Sequence, residues 1–333
     1  MGKKKVFVGQ AVSSSGINYL ISHGYQVVNA TKADPRVWVH EIGDADGFFS
    51  RGTIGCPGFV MDVAKSLKVI GNYGVGIDKI DVKHATELGI QVTNGPYSNL
   101  VAVAEYTMAL ILALETDLIH MDSQTREGHW NDIRDTTNAR EIKGRTLGIV
   151  GFGHIGRYVA QCAKTFGMHI IIYNHNLSKD TVPGYVTLID SLAEIFSKAD
   201  VVSLHVPLTK ATFHLVSDGL LNCMKPSAYI INCARGGVID ENALYTKLVN
   251  KEIAGAGINC FEEEPVRSGN KLLKLSNIIV GPHSAGQTVD SVERMSLHAA
   301  IGIDEVLSGK NPSWPVNFVD KKIISKCMQT NSR

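Results

Sequence analysis

The stretch TLGIVGFGHIGRYVAQCAK, residues 146–164, decides the fold. A β-branched apolar run ends at Gly151, and a helical pattern begins before Gly156. Glycines at 151, 153 and 156 between a strand and a helix are typical of a turn that binds dinucleotide phosphates. Gly151 allows the tight turn, Gly153 lets the pyrophosphate approach the backbone, and Gly156 lets the helix pack closely on the strand. Because such a helix begins with free N–H groups, we expect the pyrophosphate to lie there.

The end of the next strand bears on the choice of cofactor. An acidic residue is expected there, about 20 residues further on, to bind the ribose hydroxyls. Here the strand MHIIIYN ends at Asn174, which can hydrogen-bond a ribose but does not repel a 2′-phosphate. His175 and Lys179 favour such a phosphate, whereas no arginine stands in the usual place to clamp it. NAD and NADP therefore both stay open.

Short β-branched runs alternate with helical patterns on both sides of this turn. The runs before it are KVFVG, YQVVNA, GFFSR, LKVIGNYG and IQVTN, and those after it are MHIIIYN, DVVSLHVP, AYIINCA, AGAGINCF and NIIVGPH. This alternation predicts an α/β fold with parallel sheets. The segment NLVAVAEYTMALILALETDLIHM predicts one long helix over residues 99–121.

We predict two Rossmann-like domains, each a doubly wound parallel sheet, with an active-site cleft between them. The dinucleotide-binding domain spans residues 100–287. The substrate-binding domain is discontinuous and spans residues 1–99 and 288–333, because the helical segment SVERMSLHAAIGIDEVLSG is expected to cross back to it. The polar tail after Phe318 is predicted to be frayed.

Composition excludes several classes of partner. The 33 basic and 32 acidic side chains nearly cancel, so the sequence offers no basic surface for nucleic acid. No apolar stretch reaches the roughly 18 residues that a membrane span needs, and the N-terminal apolar run is too short for a signal peptide. Six cysteines without C-x-x-C spacing are typical of a reducing compartment. We expect a cytoplasmic protein without nucleic-acid or membrane partners.

Three segments after predicted strands carry candidate catalytic side chains. They are Asn232-Cys-Ala-Arg235, Phe261-Glu-Glu-Glu264 and Gly281-Pro-His283-Ser-Ala-Gly286. Loops at the carboxyl ends of parallel strands line the ligand crevice, so these side chains are expected to converge.

Reducing a 2-oxoacid requires a hydride, a proton and a cation for the carboxylate. His283 suits the proton donor, since an imidazole titrates near neutral pH. Glu264 would hydrogen-bond the imidazole and favour its protonated form. Arg235 would bind the carboxylate with a forked pair of donors. Each residue alone also fits a structural or solvated position, so the hypothesis depends on their joint occurrence.

Together the segments GFGHIGRYVA, HVPLT, NCARGGVIDENAL, AGINCFEEEP and GPHSAGQT resemble, in this order, the D-isomer-specific 2-hydroxyacid dehydrogenase family. The resemblance covers nearly the whole chain. It implies NAD(P)-dependent hydride transfer between nicotinamide and a small D-2-hydroxyacid or 2-oxoacid. It also implies a homodimer built on the long helix and the segment after it. Arg235, Glu264 and His283 match the family's catalytic arginine, glutamate and histidine.

The same matching assigns the remaining site residues, and it implies no metal. Substrate-binding roles fall to Arg51, Gly74, Val75, Gly76 and Asn99, with backbone N–H groups of the 73–76 turn facing the substrate anion. A plain strand-to-helix turn is the competing interpretation of these glycines. Cofactor-binding roles fall to Gly151, Gly153, His154, Ile155, Gly156, Asn174, His175, Pro207, Thr212, Cys233, Ala234, Asn259 and Gly286. Asn259 stands where the family has an aspartate. Its amide can still bond the nicotinamide carboxamide, but the replacement removes a charge near His283. The pH optimum therefore stays open.

Other functions stay open at this level. Formate and phosphite dehydrogenases resemble this layout, although formate enzymes pair the histidine with glutamine, unlike Glu264. A dinucleotide-sensing corepressor would keep the fold and bind partner peptides, but the complete triad and the near absence of extra segments favour an enzyme. We expect a form without the C-terminal extension of long phosphoglycerate dehydrogenases. Glyoxylate, hydroxypyruvate, pyruvate, branched 2-oxoacids and 3-phosphohydroxypyruvate all remain candidate substrates.

Overall fold

The structure is a computed structural model that describes residues 2–136, 138–178 and 181–319. The predictions for Lys179 and for fraying of residues 320–333 lie outside the described residues. The chain divides into two compact units, residues 1–99 with 287–333 (unit 1) and residues 100–286 (unit 2). Each unit has a parallel sheet with helices packed on it, which confirms the predicted α/β fold class.

Unit 1 is built on five parallel strands. They are β1 (Lys5–Val8), β2 (Gln26–Asn29), β3 (Gly47–Arg51), β4 (Val69–Tyr73) and β5 (Gln91–Thr93), in the spatial order β2-β1-β3-β4-β5. The helices between them are α1 (Ser14–Ser22), α2 (Pro35–Glu41), α3 (Gly58–Val63) and α4 (Val82–Glu87). The strand order reverses between β1 and β3, and open α/β sheets bind ligands at the carboxyl ends of the strands at such a point.

Unit 2 is built on seven parallel strands. They are β6 (Thr146–Val150), β7 (His169–Tyr173), β8 (Val186–Leu188), β9 (Val201–Leu204), β10 (Tyr229–Asn232), β11 (Gly255–Ile258) and β12 (Ile278–Val280), in the spatial order β12-β11-β10-β9-β6-β7-β8. Counted from β6, this is the 3-2-1-4-5-6 order of dinucleotide-binding sheets with one further edge strand. The order reverses between β6 and β9, so the ligand crevice of this sheet lies at their carboxyl ends.

The helices of unit 2 precede its strands or connect them in the chain. They are α5 (Leu100–Glu115), α6 (Leu118–Arg126), α7 (Trp130–Arg134), α8 (His154–Thr165), α9 (Leu192–Lys198), α10 (Asp218–Leu221) and α11 (Glu241–Val249). Short 3₁₀ helices span Gly236–Val238 and Lys271–Lys274. In α8, Gly156, Val159, Ala160 and Ala163 are buried at helical spacing, which turns one face of the helix to the core. Within the described ranges, no helix combines the length and the apolar character needed to cross a membrane.

A helix from late in the chain completes the core of unit 1. This helix, α12 (Val289–Leu307), is capped by Thr288, whose hydroxyl accepts the backbone N–H of Ser291. Its residues Met295, Ala299 and Ile303 recur every four positions and lie in one buried cluster with side chains of β1, β3 and β4. The helix thus covers one face of the sheet, although it lies about 200 residues after that sheet in the chain.

The prediction of one long helix over residues 99–121 is wrong. The chain leaves the helix after Glu115, and Asp117 adopts a left-handed conformation with φ of 53° before α6 begins. The Thr116 hydroxyl donates to the Leu112 carbonyl at 2.6 Å, and the Glu115 carbonyl accepts the N–H of Arg140 at 2.6 Å. Threonine and aspartate side chains compete for backbone hydrogen bonds in this way, which disfavours continuing a helix.

Among the elements that the sequence pattern does not predict are the short strand β8 and the helix α2. Strand β8 has only three residues at the sheet edge, too few for an alternating pattern to stand out. Helix α2 does carry a local signal, because Asp34 caps it by accepting the N–H of Arg36 at 2.9 Å and Pro35 occupies its first position.

Candidate active site

The turn between β6 and α8 has the form that its three glycines require. Gly151 has φ of +94°, and a Cβ there would lie 2.5 Å from the carbonyl oxygen of His205. A Cβ on Gly156 would overlap the carbonyl oxygen of Gly151, so a glycine is needed for α8 to pack this closely on β6. A Cβ on Gly153 would meet no described protein atom within 4 Å.

The open space at Gly153 suits a dinucleotide pyrophosphate. Gly153 caps α8, a helix of 12 residues whose first turn, fully described here, contains no acidic side chain. A helix N-terminus without an acidic side chain suits an anion, because the positive end of the helix dipole lies there. His154 is exposed and Ile155 half-buried in that first turn. The residues present thus fit the phosphates of NAD or NADP.

Other predicted cofactor residues follow β7 and β9 at the same edge of the sheet. Asn174 accepts the N–H of Asn176 on its side-chain oxygen at 3.0 Å, and His175 is exposed. The Thr212 hydroxyl donates to the Pro207 carbonyl at 2.6 Å, so it shapes the loop that follows β9. Their proposed contacts with the dinucleotide stay predictions.

The loop after β10 carries Cys233, Ala234 and Arg235. The side chain of Asn232 holds this loop, because its oxygen accepts the N–H of Ala234 at 3.0 Å and its amide donates to the Arg235 carbonyl at 2.9 Å. Cys233 is buried, and burial raises the pKa of its thiol to about 12. The clamping role of Asn232 is not evident from sequence, since any residue closing that strand fits the pattern.

His283 and Glu264 are hydrogen-bonded to each other. The His283 Nδ1 lies 2.7 Å from Glu264 Oε2, while Glu264 Oε1 accepts the backbone N–H of Phe261 at 3.1 Å. The carboxylate is therefore tied both to its own turn and to the imidazole. The structure brings these two predicted residues together directly.

Asn259 supports the turn that bears His283. Its side chain is 1% exposed, and its oxygen accepts the N–H groups of Ser284 at 3.0 Å and Ala285 at 3.3 Å. Its backbone carbonyl accepts the N–H of His283 at 2.7 Å. Gly286 follows this turn and is half-buried. The structure thus gives Asn259 a positioning task that the sequence does not reveal, and its contact with nicotinamide stays a prediction.

The loop of Arg235 packs against the turn of Glu264. A Cβ on Gly236 would overlap the backbone carbon of Phe261, so the two backbones touch where only glycine fits. The half-buried Arg235 donates from Nη1 to the Ala234 carbonyl at 2.7 Å. The three predicted catalytic segments therefore meet at the carboxyl ends of β10, β11 and β12.

The surroundings of His283 favour its charged form. Hydrogen bonding to Cys260 and to Glu264 outweighs burial and raises the pKa of His283 to about 10. The imidazole is consequently protonated at neutral pH. Cys260 is not among the predicted site residues, because nothing in a buried strand-end cysteine signals contact with a histidine 23 positions later.

Unit 1 brings its own predicted site residues together. Arg51 ends β3 opposite Tyr73 of β4, and its guanidinium lies 5.4 Å from the centre of the Tyr73 ring. Its Nη1 donates to the Ala11 carbonyl at 3.0 Å in the loop after β1. Arg51 therefore lies where the strand order reverses, next to the 73–76 turn.

The carbonyl groups of the 73–76 turn accept hydrogen bonds from asparagine side chains. The amide of Asn72 donates to the carbonyls of Gly74 at 3.2 Å and Gly76 at 2.8 Å, and Asn94 donates to that of Val75 at 2.9 Å. The N–H side of the turn is thus the side that suits an anion. Asn99 precedes α5, and its side-chain oxygen is buried without a hydrogen-bond partner among the described residues.

A dinucleotide-type sheet with a phosphate-binding turn, a histidine–glutamate pair and an adjoining arginine defines a class of protein, the nicotinamide-dependent oxidoreductases with a general acid. Residues 108–285 match the family model described as D-isomer specific 2-hydroxyacid dehydrogenase, NAD binding domain.

Relatives along the whole chain narrow this class. A D-3-phosphoglycerate dehydrogenase of Methanocaldococcus jannaschii is 38% identical over 94% of this chain, which spans 59% of that protein's length. A glyoxylate reductase of Korarchaeum cryptofilum is 34% identical over 97% of each chain. An NADPH-dependent glyoxylate/hydroxypyruvate reductase from Sinorhizobium meliloti, solved with NADP and malonate, is 28% identical with a TM-score of 0.86, over 95% of this chain and 97% of that one.

The chain belongs to the D-isomer specific 2-hydroxyacid dehydrogenase family. This membership confirms the predicted reaction class, NAD(P)-dependent oxidation and reduction of 2-hydroxyacids and 2-oxoacids.

Proposed function

We propose that this protein reduces a small 2-oxoacid to the D-2-hydroxyacid, and catalyses the reverse oxidation, with Arg235, Glu264 and His283 as its catalytic residues. The observation that carries the proposal is the 2.7 Å bond between His283 and Glu264, beside the loop of Arg235. A bound NAD(P)H supplies the hydride for reduction.

His283 acts as the general acid during reduction. Because Glu264 holds Nδ1, the proton at Nε2 is the one that His283 gives to the substrate carbonyl oxygen. In the oxidation direction the neutral imidazole takes the alcohol proton back. Glu264 keeps the tautomer and stabilises the charged ring.

Arg235 binds the substrate carboxylate through its forked donors and polarises the carbonyl. We assign substrate anion binding in unit 1 to Arg51, the N–H groups of residues 74–76, and Asn99. Unit 2 is the dinucleotide-binding domain and unit 1 the substrate-binding domain in this proposal. The occupied carbonyls of the 73–76 turn and the nearby guanidinium support that division.

We further propose a homodimer in the cytoplasm. Leu118, Ile119 and Trp130 on α6 and α7 are 57%, 57% and 61% exposed, which suits a surface covered by a second copy. The free, buried thiols of Cys56, Cys233 and Cys260 suit a reducing compartment. Light scattering coupled to size exclusion tests the dimer: a mass of two chains is expected, and a single-chain mass contradicts it.

The oxidation of NADH and NADPH tests the proposed reaction. The 2-oxoacids to be assayed are glyoxylate, hydroxypyruvate, pyruvate, branched 2-oxoacids and 3-phosphohydroxypyruvate. Formate and phosphite, each assayed with NAD⁺ and NADP⁺, serve as comparisons. We expect saturable oxidation with at least one 2-oxoacid and a product of D configuration by chiral chromatography. Turnover of only formate or phosphite, or binding of dinucleotide without any turnover, would overturn the proposal.

A further inference from the structure

Cys260 lies beside the proposed catalytic pair. It follows Asn259 at the end of β11, is 1% exposed, and donates from Sγ to the Ala234 carbonyl at 3.5 Å. The Cys260 sulfur, a Glu264 carboxylate oxygen and a His283 ring nitrogen all lie within 4.8 Å of one another. A thiolate, a carboxylate and an imidazole are the ligand types that bind Zn²⁺ in proteins.

The spacing of the three side chains fits one metal ion. Zn²⁺ takes sulfur at about 2.3 Å and nitrogen or oxygen at about 2.0–2.2 Å, so tetrahedral ligand atoms lie roughly 3.3–3.7 Å apart. The present separations, 2.7 Å between His283 Nδ1 and Glu264 Oε2 and at most 4.8 Å within the cluster, bracket that range. The side chains of Glu264 and His283 are 29% and 44% exposed, so a cation reaches the buried sulfur from their side.

We propose that Cys260, Glu264 and His283 form an inhibitory Zn²⁺ site, with the fourth position left to water. The inhibition rests on the proposed function: with Nδ1 bound to the metal, His283 stays a neutral imidazole whose Nε2–H is a far weaker acid than the imidazolium, so reduction stops until a chelator removes the ion. The sulfur ligand makes the site prefer Zn²⁺ over Mg²⁺ or Ca²⁺, which favour oxygen ligands.

Co²⁺ tests metal binding, because a thiolate bound to Co²⁺ gives a charge-transfer absorption band. This band is measured without any enzyme assay. The purified protein is titrated beside Cys260→Ser and the control Cys223→Ser, which removes a cysteine outside the cluster. We expect a band that saturates at one Co²⁺ per chain in the parent and the control and is absent in Cys260→Ser. Cys260→Ala is the second variant if Cys260→Ser does not fold. Circular dichroism checks the fold of both variants. No band in the parent, or an equal band in both Cys260 variants, overturns the site.

Inhibition is tested with Zn²⁺ in the 2-oxoacid assay, each variant being compared with its own metal-free rate. We expect EDTA-reversible inhibition of the parent and of Cys223→Ser. The inhibition constant should rise about 100-fold or more in Cys260→Ser, because even outer partners of a metal site contribute about 10–100-fold. Equal inhibition of all three proteins contradicts the inference. Absence of any 2-oxoacid turnover would sink the proposed function instead, and the Co²⁺ band would still decide whether the metal site exists.

Discussion

The two oxygens of the Glu264 carboxylate have different tasks. One holds the turn through the N–H of Phe261, and the other holds Nδ1 of His283. A glutamine at this position keeps the shape of the side chain but removes the charge that favours the imidazolium. The consequence is expected in the pH dependence rather than in folding.

Glu264→Gln should narrow the pH range of reduction. In the parent, Cys260 and Glu264 raise the pKa of His283 to about 10, so the proton donor is present below that pH and is lost above it. Removing the Glu264 charge lowers this pKa, and the decline of kcat/KM should begin at lower pH. Glu263→Gln is the matched control, because Glu263 is exposed and pairs with Arg267 instead. Superimposable profiles for parent and Glu264→Gln would contradict the role of the carboxylate.

Arg235→Lys should show whether the forked guanidinium matters beyond its charge. A lysine keeps the positive charge but cannot bind a carboxylate through two parallel donors. A hydrogen bond to a charged group contributes about 1.5–3 kcal/mol, so kcat/KM should fall about 10–100-fold. Arg267→Lys, an exposed arginine on the next segment, is the control. An unaltered kcat/KM for Arg235→Lys would show that Arg235 does not bind the substrate through its forked donors.

At the scale of single residues, sequence reasoning predicts the chemically necessary side chains and misses those that place them. Arg235, Glu264 and His283 stand out because hydride transfer to a 2-oxoacid needs their functional groups. Asn232 and Cys260 carry no such requirement, and their contacts depend on how three loops fold back on one another.

The loop of Arg235 and the turn of Glu264 pack against each other, and this contact places the two residues side by side. Gly236→Ala should force them apart, because the added Cβ would overlap the Phe261 backbone. Overpacking of this kind costs about 1–3 kcal/mol of unfolding free energy, and kcat/KM should fall as well. Gly219→Ala is the control, since a Cβ at Gly219 meets no described atom within 4 Å. Thermal denaturation and steady-state rates that match the parent would show that the close approach is unimportant.

The end of α5 carries a buried carboxyl group with a pH-dependent effect on stability. Glu115 is 1% exposed, its oxygens have no hydrogen-bond partner among the described residues, and Arg145 lies 3.6 Å away. Burial raises the pKa of Glu115 from 4.5 to about 6 despite that arginine. The protonated form is thus favoured by folding, so its contribution is full below pH 4.5 and is lost as the pH rises through about 6.

Glu115→Gln should therefore stabilise the protein at pH 8 relative to the parent and have little effect at pH 4. The expected difference is about 2 kcal/mol, since each pKa unit corresponds to about 1.4 kcal/mol. Urea denaturation at the two pH values measures it, with the exposed Glu141→Gln as the control. A variant less stable than the parent at pH 8 would mean that the charged carboxylate is well solvated or paired.

At the scale of elements, long sequence patterns predict helices and strands well, but they do not predict where each element ends. Strands such as β3 and β6 follow from their aromatic and β-branched residues. The break after Glu115 does not, because Thr116 and Asp117 interrupt an apolar pattern that otherwise continues, and the bond from Arg140 that closes the turn comes from a distant segment.

At the scale of the whole molecule, two parallel sheets of different strand order each place polar groups at the point where that order reverses. Unit 2 presents the glycine turn and the catalytic segments, and unit 1 presents Arg51 with the 73–76 turn. The alternation of strands and helices predicts both sheets. It does not predict their strand orders, because these depend on which strands pair rather than on local pattern.

The central claim is that His283 is the proton donor of a 2-oxoacid reductase, and kcat/KM of His283→Ala tests it most directly. His169→Ala, an exposed histidine at the start of β7, is the control, and fluorescence titration with NADH verifies that dinucleotide binding is retained. The account predicts a fall of about 100-fold or more, the contribution expected of a general acid. A rate close to that of the parent, with dinucleotide binding intact, would contradict it.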